Sequence, residues 1–171
     1  MIFMGISNDM KMGNDGEDKV KLLVENAGFH YVKNIDEETR LLWDLAFGND
    51  DDNDNVYTVE VKNDNYSLKS GNIAIEVENT RQKKPSGLMA TESDLWAIVR
   101  GDEVWLANTQ ELRSFVMENK PFKVIENGGD GNALLLLYKI GNILPAIFEQ
   151  IDGLDEKELK DIINRLLEKG V

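Results

Sequence analysis

The chain has 171 residues, enough for one domain with a sizeable core, and its 42% hydrophobic and 30% charged residues are the balance of a soluble globular protein. Nineteen Lys and Arg against 32 Asp and Glu give a formal net charge of -13, which argues against a protein that coats nucleic acid, since neutralising phosphates needs a basic surface. The absence of cysteine excludes disulfides, thiol catalysis and cysteine zinc sites.

In chain order, the first dozen residues are expected to be frayed or only loosely docked. They also lack a basic region followed by a long apolar core, so no secretion signal is expected, and a cytoplasmic location is the default. Apolar stretches fall short of the roughly 18 residues a membrane span needs. Val20, Leu23, Val24 and Ala27 recur at helical spacing and predict a helix over 16–27, capped by Gly28. A short strand is expected over 29–32. Runs 41–47 and 56–63 predict an antiparallel hairpin across the acidic turn 48–55.

Beyond a break at Gly71, a strand is expected over 72–79 with Ile73, Ile75 and Val77 on one face. A basic loop, 81–87, follows it. Strands over 95–99 and 103–107 flank the Gly101-Asp102 turn. Asn108 and Glu111 have capping-box spacing for a helix, and strands 122–126 and 133–140 flank a glycine-rich turn. The last helix, about 156–169, has Asp155 and Glu158 as its capping box and Leu154 with Leu159 as a hydrophobic staple. Its stripe of Leu159, Ile162, Ile163, Leu166 and Leu167 must be covered by the core or by another chain. No internal repeat and no clear linker is found, so the expectation is a single α/β domain.

The chemistry concentrates in the hairpin. Side chains alternate along a strand, so Tyr57, Val59 and Val61 share one face and Thr58, Glu60 and Lys62 the other. Asp44, sixteen positions before Glu60, can reach that second face from the partner strand. Two adjacent carboxylates repel, and a divalent cation between them relieves the repulsion. Mg²⁺ favours a few carboxylates plus water and substrate phosphate.

The order of a helix acid, a strand Asp and then a strand Glu60-Val61-Lys62 resembles the PD-(D/E)XK nuclease superfamily over roughly residues 16–94. The likeness is an order of elements rather than close identity, and Trp43, not proline, precedes Asp44. It implies a restriction-endonuclease-like or resolvase-like fold, with a mixed central β-sheet flanked by helices and an amphipathic C-terminal helix. It also implies Mg²⁺-dependent endonucleolytic cleavage of DNA, with Mn²⁺ able to substitute. Asp44, Glu60 and the Val61 carbonyl would bind metal, with Glu17 assisting from its helix. Lys62 would position the attacking water or stabilise developing charge. Glu76 and Glu78 are candidate additional ligands, or groups that orient Lys62. Arg81, Lys83, Lys84 and Ser86 are candidate phosphate contacts, with Thr91 beyond them. Enzymes of this kind often dimerise, and the C-terminal helix is the candidate interface. A compact stand-alone nuclease would suit a phage or mobile element. The rival readings are a non-catalytic binding or assembly protein of the same fold and an RNA-directed nuclease.

Several features have plainer readings. Glu17 has capping-box spacing from Asn14 and could only cap its helix. The turn from Asp50 fails the EF-hand register, with Asn55 at the sixth position and Val61 at the twelfth. His30 is the sole histidine, so no triad or histidine cluster can be built. The 128–131 segment lacks the Gly-Lys-Ser/Thr ending of a phosphate loop. Trp43, Trp96 and Trp105 are expected to pack in the core.

Overall fold

The computed structural model describes residues 4–32, 42–49 and 52–169, with the side chains of 4–14 and 52–54 outside that description. The chain opens with helix α1 (Met4–Asn26) and strand β1 (Phe29–Val32), then the hairpin β2 (Leu45–Asn49) and β3 (Asp52–Asn63). A single helical turn, α2 (Ser67–Ser70), leads into β4 (Asn72–Asn79) and the two-residue β5 (Lys84–Pro85). A 3-10 turn (Gly87–Met89) precedes β6 (Leu95–Arg100), β7 (Glu103–Asn108) and α3 (Thr109–Glu118). The remainder is β8 (Lys123–Gly128), β9 (Ala133–Lys139), α4 (Ile140–Ile147), β10 (Glu149–Gln150) and α5 (Glu156–Glu168).

These strands form two sheets. The larger has the order β1-β2-β3-β6-β7-β10 and is mixed, because β3 and β6 run parallel while its other pairs are antiparallel. The smaller is antiparallel, in the order β5-β4-β9-β8. The expected mixed sheet with flanking helices is therefore present, and a second sheet is added to it. None of the described helices is long and apolar enough to cross a membrane.

Strand alternation divides the core into two layers. On one face of the larger sheet, Val59, Val61, Leu95, Ala97, Val104 and Leu106 pack under α1 and α5. On the other, Trp96, Ile98 and Ala107 pack with Leu112 of α3, Ile73 and Ile75 of β4, and Ile143 of α4. The apolar stripe of α5 lies in the first layer: Leu159, Ile163 and Leu166 are fully buried by this chain itself. That stripe therefore needs no second chain to cover it. The capping box of α5 forms as its sequence predicts, with Asp155 accepting from the Glu158 N–H and Glu158 accepting from the Asp155 N–H. Asn108 likewise accepts from the Glu111 N–H at the start of α3.

Three expectations need correction. The helix expected from residue 16 begins at Met4, so residues 4–12 are helical rather than frayed, and Asn14 and Glu17 lie inside α1 instead of at its cap. Asp44 is not within a strand but immediately ahead of β2. The acidic turn is tighter than expected, because β2 reaches Asn49 and β3 starts at Asp52; residues 50 and 51, with Leu41, lie outside the described residues.

Candidate active site

The site forms where the β2–β3 ladder stops. The last register pair is Leu45 with Val59, so the strand edge of Val61 has no β2 residue beside it. Asp44 takes that place. Its own N–H donates to the Val59 carbonyl at 3.1 Å, and its Oδ2 accepts the Val61 N–H at 2.7 Å. A strand residue directs its N–H and C=O to the same side, so the Val61 carbonyl also faces the gap that Asp44 fills.

Glu60 and Lys62 project from the face opposite the buried Val59 and Val61, as alternation requires. Lys62 Nζ donates to Glu60 Oε1 at 2.8 Å. Glu60 is well enclosed, with its side chain 15% exposed, while that of Lys62 is 39% exposed. Thr91 Oγ1 lies 2.9 Å from the Leu42 carbonyl and 3.5 Å from Glu60 Oε2. Thr91 therefore ties the approach to β2 to Glu60 on β3.

Glu17 arrives from the helix layer. Gly16 is buried against Asn63 at the end of β3, where a Cβ would overlap the Asn63 side-chain amide. That close approach of α1 brings Glu17 into the field of the other acids. Its carboxyl is pushed up to about 7, first by burial and then by the charges of Asp44, Asp18 and Glu60. Burial also raises Asp44, against the opposing pull of the Val61 N–H and of Lys62. Glu60 is raised by burial and by Asp44, against Lys62 and Thr91. For Lys62, burial works against the ammonium, but Glu60, Asp44 and Glu76 together outweigh it and hold its pKa above the ordinary lysine value.

Three carboxyls crowded around one ammonium are an electrostatic environment that favours a cation. Among the described residues, no three of His, Cys, Asp and Glu form a closed metal-ligand group. Asp44 and Glu60 act on each other electrostatically and the Val61 carbonyl faces the gap beside Asp44, so these are the oxygens that could hold a cation. Such a small oxygen set, completed by water, suits Mg²⁺ better than a closed protein cage does.

The smaller sheet touches the site at one point. A cavity of about 180 Å³ is lined by Lys62, Asp64, Ala74, Glu76, Trp96 and Leu135. Glu76 thus stands near Lys62, and its Oε1 accepts from Ser86 Oγ at 2.7 Å. Gly87, at φ +51° and packed against the Glu76 backbone, holds that loop in place. Glu78 lies past a bulge in β4, opposite Leu134 and Pro85, and does not line the cavity. Arg81, Lys83 and Lys84 are exposed at the β5 edge of the smaller sheet and do not line it either.

Of the lining residues, Asp64 is not singled out by the sequence, and Trp96 is singled out only for the core. Asp64 has the same strand parity as Glu60 and Lys62, and that signal could have found it. It accepts from the Ser67 N–H at 3.0 Å, and burial raises its pKa. Trp96 pairs in register with Glu60, and Lys62 Nζ sits 5.4 Å from its ring centroid. Only the parallel β3–β6 register reveals that neighbour.

No family model, curated protein or solved structure matches this chain.

Proposed function

We propose that the chain is a Mg²⁺-dependent endonuclease that hydrolyses DNA phosphodiester bonds, resembling the PD-(D/E)XK superfamily in its site. One observation carries the reading: Asp44, Glu60 and Lys62 meet at the end of the β2–β3 ladder, with Glu17 in electrostatic reach. Asp44, Glu60 and the Val61 carbonyl would hold the metal. When bound, Mg²⁺ lowers the pKa of water and neutralises charge on the phosphate.

The protein's own residues have separable roles. Asp44 fixes its carboxylate by accepting the Val61 N–H, so its position is set before any ligand arrives. Glu60 holds the Lys62 ammonium at 2.8 Å. Lys62 keeps its proton and can donate to the attacking water or to a phosphate oxygen. Glu17, in electrostatic reach of Asp44 and Glu60, would assist at the metal from its helix.

The test offers linear duplex, circular plasmid, single-stranded and four-way-junction DNA with Mg²⁺ and then Mn²⁺. Metal-dependent cutting that Lys62→Ala and Asp44→Asn both lose supports the reading. No cutting by wild type, with no metal-induced rise in melting temperature, sinks it in favour of a non-catalytic binding protein. Preferential cutting of competing RNA would make the chain an RNA-directed nuclease.

A further inference from the structure

The junction of the smaller sheet with α3 and α4 holds a second cavity, of about 470 Å³. Its floor is aromatic: Phe115 and Tyr138 pack at 5.5 Å between centroids, and the Tyr138 hydroxyl donates to the Asn119 carbonyl at 2.9 Å. At its mouth Phe122 is 59% exposed, and Lys139 Nζ lies 4.2 Å from its ring centroid. Lys120, also exposed, adds a second ammonium. Among the described residues that line this cavity there is no carboxylate. In a chain with 32 acids against 19 bases, such a pocket is a local reversal of the molecule's charge.

A cavity of this size fits one nucleotide rather than a protein segment. An exposed phenylalanine supplies a stacking surface that any unpaired base can use, and the lysines supply charge for its phosphate. A duplex, with its bases already stacked inside, would leave the ring unused. The cavity is also aligned with the site. Lys139 lies on β9 four residues beyond Leu135, which lines the Lys62 cavity. Residues 135, 137 and 139 share one side of the strand, and four residues span about 13 Å.

We propose that this aromatic-lysine pocket binds an unpaired nucleotide of the DNA strand that is cut at the Lys62 site, a few nucleotides away along β9. The inference rests on the nuclease reading for its substrate, but its test is separate. Binding of a fluorescent oligothymidylate is measured without metal, in the Lys62→Ala background, by anisotropy across a salt series. Phe122→Ala, Lys139→Gln and Lys120→Gln are compared with Leu22→Ala, an exposed apolar residue on α1.

The expected result is a loss of about tenfold in affinity for Phe122→Ala. The salt slope should fall by about 0.7 for each lysine variant, the value for a phosphate contact on a single strand. Leu22→Ala should change neither. Unchanged binding in Phe122→Ala with an unaltered melting curve overturns the inference. So does a competing duplex that binds as tightly as the single strand. Cleavage that survives in Phe122→Ala with unchanged binding would leave the nuclease reading standing without this pocket. Phe122-dependent binding with no cleavage by wild type would do the reverse.

Discussion

At the scale of single residues, Asp44 is held by a hydrogen bond as well as by charge, so the two contributions can be separated. Asp44→Asn keeps an oxygen that can accept the Val61 N–H at its present 2.7 Å, yet removes the negative charge. The substitution should leave the melting temperature almost unchanged while lowering metal-dependent cleavage by at least about a hundredfold. A parallel loss of stability and activity would mean that Asp44 is a structural cap. Glu17 gives a second prediction at this scale, in the metal-free protein. Its folded-state pKa of about 7 lies above the ordinary value of 4.5, so between those values the folded state binds more protons than the unfolded one. Stability must then fall as pH rises from about 4.5 to about 7 and level off above that, as linkage requires. Glu17→Gln removes this penalty. Melting temperatures measured at pH 5 and pH 8 should show the variant gaining clearly more on wild type at pH 8 than at pH 5. An equal difference at both pH values would mean that Glu17 is not held in the field of Asp44 and Glu60.

At the scale of elements, the site depends on how closely α1 crosses the end of β3. Gly16 permits that crossing, because a methyl group there would overlap the Asn63 amide. Gly16→Ala meets only the terminal amide of the exposed Asn63 side chain, which can swing aside, so the helix-propensity gain should offset the contact and stability should change by less than about 1 kcal/mol, while any activity loss reports α1 and Glu17 moving away from Asp44. Asn63→Ala removes that contact, so an activity loss caused by it should be recovered in the double variant. A denaturant double-mutant cycle measures the coupling, and additive effects would show that the contact is not close.

The elements also show what could be read from the chain. Period-two alternation in 56–63 put Glu60 beside Lys62, and the structure joins them at 2.8 Å. The apolar stripe and capping signals of the last helix placed α5 within a residue or two. The polar, glycine-containing start of α1 has no apolar period, so its helical continuation back to Met4 was invisible to pattern reading. The sequence pattern carries the strand to 140 and marks no element over 141–147, because the short apolar run of α4 contains Pro145 and follows β9 without a turn signal.

At the scale of the whole molecule, the second sheet was the main feature missed, for a topological reason. Residues 72–79 and 133–139 were both read as strands, but nothing local says that they pair with each other rather than with the hairpin. That pairing decides which acids meet Lys62. It brings Glu76 to the shared cavity and leaves Glu78 and the 81–84 basic residues away from it. Net charge is likewise a property of the whole chain that hides its distribution: the sum of -13 contains both the acid cluster at β3 and the lysines around Phe122.

The acid cluster gives the molecule a conditional stability, and this supports the last prediction. Burial raises the pKa values of Asp44 and Glu60, with Asp44 also raising Glu60, so the folded state in the absence of a cation carries a cost that the unfolded chain does not. A cation bound by the folded state alone stabilises it by mass action, by about 2.7 kcal/mol at a hundredfold excess over Kd. For a chain of this length that corresponds to a rise in Tm of about 5–10 °C. Calorimetric scans at pH 8 with increasing Mg²⁺ should show the rise in wild type and lose most of it in Asp44→Asn. Lys62→Ala should keep it, because removing the ammonium leaves the carboxylates in place and makes the site more negative. A rise that Asp44→Asn retains would place the cation elsewhere on this acidic surface and separate Asp44 and Glu60 from any metal chemistry of the chain.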